Sequence, residues 1–139
     1  IVPDLPPEES TALRASAASA GVDLVFLLAP TSSDARIRRV IESSSGFIYL
    51  VSLVGVTGAR SRLDEGLTAF ARRVRAMTDK PLAVGFGISR PEQAAEVAKI
   101  ADGVIVGSAL IKAVGAGDDA VTAAQTFVRS LRTGMDDTS

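Results

Sequence analysis

Residues 82–89 read Leu-Ala-Val-Gly-Phe-Gly-Ile-Ser, and residues 103–110 read Gly-Val-Ile-Val-Gly-Ser-Ala-Leu. Each is a short apolar run that breaks into glycine and then gives way to a helical pattern. Nearly continuous rather than alternating hydrophobicity is the mark of a parallel strand covered on both faces. Two upstream runs, Val22 to Leu28 and Phe47 to Ser52, have the same character.

Helical periodicity fills the intervals. Leu63, Leu67, Phe70, Val74 and Met77 form one apolar stripe suited to lie on a sheet. Ser89-Arg90-Pro91-Glu92 has the spacing of a capping box with proline in the first turn, and it opens a helix with Ala94, Val97, Ala98 and Ala101 inward. Ser33-Asp34 is the expected start of a helix burying Ile37, Val40 and Ile41. A first helix is expected from about Pro7 to Ala20, ending at Gly21, and a last one uses Val121, Ala124, Val128 and Leu131.

Strand and helix in alternation indicate right-handed βαβ units in a parallel sheet. Ile1-Val2, apolar and running straight into the turn Pro3-Asp4, reads as the tail of a further strand; with no initiating Met, truncation is the expectation. Residues 1–139 read as a single domain, with no linker or low-complexity stretch. Two architectures fit the alternation, a doubly wound open sheet and part of a β/α barrel, and the motifs must separate them.

Composition narrows the chemistry first. There are 15 basic and 16 acidic side chains, for a net charge of -1, and only 5 Phe, 1 Tyr and 0 Trp, so no basic, aromatic-laced surface for nucleic acid is expected. With 0 Cys and 0 His, disulfides, thiolate nucleophiles, the usual zinc ligands and Ser-His mechanisms are excluded, and no metal or cofactor site is expected. The longest apolar run, Val25 to Pro30, falls far short of the roughly 20 residues of a membrane span, so a cytoplasmic protein without membrane contact is expected.

The informative loops follow the strands. Ser52-Leu53-Val54-Gly55-Val56-Thr57-Gly58 lets backbone approach a ligand and offers a hydroxyl at Thr57; the plainer reading is a flexible connection. Gly85-Phe86-Gly87 and Gly107-Ser108 come after the next two strands, and Gly107-Ser108 leads into the short apolar helix Ala109 to Val114. A helix N-terminus carries about half a positive charge and unpaired N–H groups, a natural seat for phosphate. In β/α barrels the last two strand-to-helix loops and a short extra helix make this site. Gly115-Ala116-Gly117 followed by a separate final helix matches that layout. Neither a Gly-x-Gly-x-x-Gly element after the first strand nor a P-loop is present, which disfavours dinucleotide and nucleoside-triphosphate folds.

Carboxylates are less informative. Asp23 and Asp102 fall at strand beginnings, the end that serves stability. Asp4 lies at the other end, but in Asp-Leu-Pro-Pro it is foremost a turn residue. Tyr49 either lines a pocket or is plain core. No convincing catalytic pair of carboxylates emerges.

Asp4-Leu5-Pro6-Pro7-Glu8-Glu9-Ser10, Leu28-Ala29-Pro30-Thr31, Tyr49-Leu50-Val51-Ser52, Gly55-Val56-Thr57-Gly58, Gly85-Phe86-Gly87-Ile88-Ser89 and Val106-Gly107-Ser108-Ala109 together resemble the tryptophan synthase α subunit family. The resemblance spans essentially the whole chain. It implies an α/β fold, the (β/α)8 TIM barrel, of which this chain covers roughly the C-terminal half.

The resemblance implies that Gly58, Gly87, Gly107 and Ser108 hold the phosphate of indole-3-glycerol phosphate through backbone amides. It places Leu28, Tyr49 and Phe86 around the indole, Thr57 on the loop that closes over it, and Asp4 toward the β subunit. That partner, not this chain, binds pyridoxal phosphate. The reaction implied is a lyase step in tryptophan biosynthesis giving indole and glyceraldehyde 3-phosphate. Its catalytic Glu and Asp are expected upstream of Ile1, so no catalytic residue is expected in this chain and the chain alone is expected to be inactive. Leu53-Val54 departs from the Arg-bearing pair often seen before Gly-Val-Thr-Gly.

Two alternatives stay open. One is another phosphate-binding barrel of isomerase, epimerase or indoleglycerol-phosphate synthase type. The other is a non-catalytic half-barrel fragment, whose open strand edges would favour self-association.

Overall fold

A computed structural model describes residues 1–52, 65–85, 87–117 and 119–136. Four strands, β1 (Leu27–Leu28), β2 (Ile48–Val51), β3 (Leu82–Gly85) and β4 (Gly103–Ile105), form one sheet in the order β1-β2-β3-β4. Every neighbouring pair is parallel. Helices α1 (Thr11–Ser19), α2 (Asp34–Ser43), α3 (Glu65–Arg75), α4 (Pro91–Ala98), α5 (Ser108–Gly115) and α6 (Ala120–Asp136) precede, connect and follow the strands, and a 3-10 turn at Pro7–Glu9 comes before α1. No helix among the described residues is long and apolar enough to cross a membrane.

The register makes the two sheet faces unequal. Leu28 pairs with Leu50, Leu50 with Val84 and Val84 with Val104, so these side chains share a face. That face forms one core with Ile37 and Val40 of α2, Leu67, Phe70 and Val74 of α3, and Ala94 and Val97 of α4. Burial of such side chains contributes about 1.5–3 kcal/mol each and is the main stabilising term. The opposite face carries Leu27, Tyr49, Ala83 and Gly103 in one register row and Val51, Gly85 and Ile105 in the next. It is smaller in side-chain volume and only partly covered.

Several boundaries differ from the sequence expectation, each for a local reason. The first strand is expected over residues 22–28, yet only Leu27–Leu28 joins the ladder. Upstream, Leu24 N donates to Ser45 Oγ at 2.9 Å and Phe26 N to Ser44 Oγ at 3.2 Å, so side-chain hydroxyls replace carbonyl partners. The first helix breaks at Ser10, whose hydroxyl donates to Pro7 O at 2.7 Å, leaving a 3-10 turn before α1. At its far end the Gly21 and Val22 amides donate to Ala18 O and Ala17 O, the paired bonds of a Schellman cap. The reciprocal cap of α4 uses Gln93 rather than Glu92: its Oε1 accepts from Ser89 N at 3.0 Å and Arg90 N at 3.2 Å. Ile1-Val2 forms no strand; the Val2 carbonyl accepts from Leu5 N in a turn while its side chain packs on the core.

Candidate functional site

β3 and β4 run parallel with Gly85 opposite Ile105, so the segments after Gly85 and after Ile105 leave the sheet side by side at its C-terminal end. Gly87 follows β3 at φ +78°, a left-handed angle that a residue with Cβ adopts only with strain. Ile88 beside it is buried and ties this turn to the core. α4 then starts at Pro91.

Gly107 caps α5, and its carbonyl accepts from Ile111 N at 3.1 Å. The amides of the first turn that follow, from Ser108 on, have no acceptor within the helix. Both Gly107 and Ser108 are exposed, and a Cβ built on Gly107 meets no atom within 4 Å. Small exposed residues therefore stand beyond the C-terminal ends of two neighbouring strands, with open space at Gly107 and a helix N-terminus beside it; helix N-termini attract anions in general.

Tyr49 lies within β2 on the less covered face, and burial pushes its phenol above the usual range. Its ring crosses the Gly85 position: a Cβ there would lie 2.0 Å from the phenol oxygen and 2.5 Å from Cζ. Gly85 is therefore glycine because the phenol occupies the place of a side chain. Beside it Ser52, 4% exposed, sends both its backbone N–H and its hydroxyl to Gly85 O, each at 2.9 Å. This hydroxyl is the local feature that strand periodicity does not reveal; the only trace is a polar residue closing an apolar run.

The expected site residues do not all converge. Gly87, Gly107, Ser108 and Tyr49 gather at the C-terminal ends of adjacent strands or on the same sheet face. Leu28 is a correction: its register partner is Leu50, so it faces the helix-packed core at 1% exposure, and Leu27 is the residue in line with Tyr49. In a period-two strand adjoining residues take opposite faces, so Leu28 and Tyr49 do not share a pocket wall. Asp4 is exposed in the turn before the 3-10 segment. Thr57, Gly58 and Phe86 lie outside the described residues. Among the described residues no group of His, Cys, Asp or Glu is placed to hold a metal ion.

The sequence profile of the family described as Tryptophan synthase alpha chain matches residues 1–138. The chain belongs to the tryptophan synthase alpha chain family. A relative named Tryptophan synthase alpha chain from Dehalococcoides mccartyi is 52% identical over 136 residues, covering 98% of this chain and 53% of its own length. Another of that name, from Methanosarcina mazei, is 50% identical over 136 residues, with 97% and 49% covered. Among solved structures, Mycobacterium tuberculosis tryptophan synthase in space group F222 superposes with a TM-score of 0.83 at 38% identity, covering 96% of this chain and 49% of that one. Tryptophan synthase subunit alpha from Legionella pneumophila gives 0.80 at 36% identity, with 96% and 50% covered. This chain thus spans about half the length of the relatives it matches. Its fold is that of the tryptophan synthase alpha β/α barrel, and its four parallel strands account for half of an eight-stranded one.

Proposed function

We propose that this chain is the phosphate-binding half of a tryptophan synthase α-type lyase, which cleaves indole-3-glycerol phosphate to indole and glyceraldehyde 3-phosphate and passes indole to a β subunit. The carrying observation is the pairing of Gly87, in a left-handed turn, with Gly107 at the cap of α5, at one end of neighbouring strands and with open space where a Cβ on Gly107 would stand. In this reading the amides near Gly87, Gly107 and Ser108 hold the substrate phosphate, Gly58 and Thr57 add to it from the preceding loop, and Tyr49 with Phe86 bounds the indole. Asp4 is the β-facing residue of the same reading, residues 1–139 act as one domain, and the setting is cytoplasmic.

The chemistry divides accordingly. A carboxylic acid protonates the indole ring carbon as a carboxylate takes the proton of the adjacent side-chain hydroxyl. The carbon–carbon bond then breaks, its electron pair goes to the ring and the hydroxyl carbon becomes the aldehyde. Both carboxylates are assigned outside residues 1–139, so the part given to this chain is binding and orientation.

Titrating glycerol 3-phosphate by calorimetry tests this directly. A Cβ at Gly107 meets no atom within 4 Å, so Gly107→Val should fold while its methyls enter the space assigned to the anion. Affinity should drop at least tenfold, the loss of about 1.4 kcal/mol. Equal affinity in the two proteins overturns the cradle.

A further inference from the structure

We infer that Ser52 is a positioning residue for the anion site, acting through the carbonyl of Gly85; the inference rests on the phosphate-binding reading above and assigns that site a support on the neighbouring strand. Gly85 is the last residue of β3, and its peptide leads the chain out of the sheet toward Gly87. Ladder pairing alone would give its carbonyl one partner, the Ser52 N–H at 2.9 Å. The Ser52 hydroxyl supplies a second at 2.9 Å, so both lone pairs of the carbonyl are engaged.

Two features make this more than a satisfied core hydroxyl. Ser52 is buried at 4% exposure, and a hydroxyl bond in such surroundings is electrostatically stronger than one in water. Gly85 has no side chain of its own to hold it, because the Tyr49 phenol fills that place. The carbonyl grip and the phenol therefore fix Gly85, the strand's last residue, two positions before the left-handed turn at Gly87. An anion seat built of backbone amides works only when the peptides are aimed before the ligand arrives. Ser52 does the aiming from β2 without touching the ligand.

The test compares Ser52→Ala, Ser52→Cys and Ser52→Thr in the full chain. Glycerol 3-phosphate affinity is read by calorimetry, the melting temperature by circular dichroism, and the Gly87 amide exchange rate by NMR. In the alanine variant Gly85 O keeps the Ser52 N–H, so the fold should persist. Affinity should fall about fivefold, the size of one net hydrogen bond, and Gly87 exchange should accelerate. Threonine restores the hydroxyl and should restore both; cysteine, a weaker donor, should fall between and keeps the series readable if alanine is unstable. A lower melting temperature with wild-type affinity and unchanged Gly87 exchange would mean a purely structural hydroxyl and overturns the inference. If the wild-type chain itself binds no glycerol 3-phosphate, the phosphate-binding reading fails and carries this one with it.

Discussion

The two ends of the parallel sheet are built from different chemistry. At the N-terminal ends, Asp102 just before β4 accepts from Leu82 N at 2.7 Å and from the Arg75 guanidinium, which also donates to Lys80 O at 3.0 Å. Lys80 Nζ in turn donates to Ile41 O at 2.5 Å and Ser44 O at 2.6 Å. Charged and hydroxyl side chains thereby stitch α2, α3 and the strand starts together. At the C-terminal ends stand Gly87 and Gly107, with backbone exposed in place of side chains, next to the buried Gly85. One end holds its backbone with charged side chains; the other holds it with hydroxyls and carries glycine beyond β3 and β4. That asymmetry is the barrel's division between a stability end and a working end.

The largest expected effect comes from adding a single methyl to the working end. Gly85→Ala places Cβ 2.0 Å from the Tyr49 phenol oxygen, so ring or strand must move. Urea denaturation should show a loss of about 3 kcal/mol, the upper range for overpacking a filled site. Replacing Tyr49 by Leu in the same chain removes the colliding atoms and should recover most of that loss. Failure to recover would mean that Gly85 is held for its backbone angles rather than for the phenol.

Removing charge from the stability end should cost less and should depend on pH. Partial burial alone would raise the Asp102 carboxyl, but the Leu82 amide and the Arg75 guanidinium outweigh it and hold it below the usual range. A carboxyl depressed on folding stabilises above its unfolded value, near 3.9, and loses that contribution as pH falls through the folded value. Its side chain is 53% exposed, so solvent screening discounts the contribution to about 1 kcal/mol. Asp102→Asn should thus be less stable than the parent at pH 7, with the gap closing below about pH 4. An acid limb persists in the variant, because the backbone amide of Glu8 and the Thr122 hydroxyl beside Asp119 also hold those carboxyls low. A gap that stays constant down to pH 2 would detach Asp102 from the latch.

The working end was more legible in sequence than the stability end. Glycine at the ends of β3 and β4 and the short helix after β4 are local signals, readable in a window of ten residues. Arg75 and Asp102 are 27 positions apart and meet only because β3 and β4 are neighbours, which no window contains. β2 and β3 were legible as continuous apolar runs. For the same reason the facing of Leu28 was not: when both faces are apolar, hydrophobicity carries no parity, and only the register with Leu50 decides it. The shortened β1 and the Gln93 cap depend on hydroxyl and amide side chains that compete with backbone partners, and propensity does not rank those competitions.

The smallest effect sharpens the contrast from within the working end. Ser33 also carries a hydroxyl beyond a strand's C-terminal end, and it caps α2 by accepting from Arg36 N at 3.3 Å. That bond is long and exposed, so Ser33→Ala should cost about 0.5 kcal/mol, the low end for a lost N-cap. Glycerol 3-phosphate affinity should not move, because β1 is two strands removed from β3 and Ser33 holds no peptide that leads to Gly87 or Gly107. Set beside Ser52→Ala, it separates two uses of the same functional group. The hydroxyl on a helix cap is read in stability alone, whereas the hydroxyl on the Gly85 carbonyl is read in affinity. If Ser33→Ala weakens the phosphate probe as much as Ser52→Ala does, general loosening of the strand tops explains both, and a dedicated support for the Gly87 turn is unnecessary.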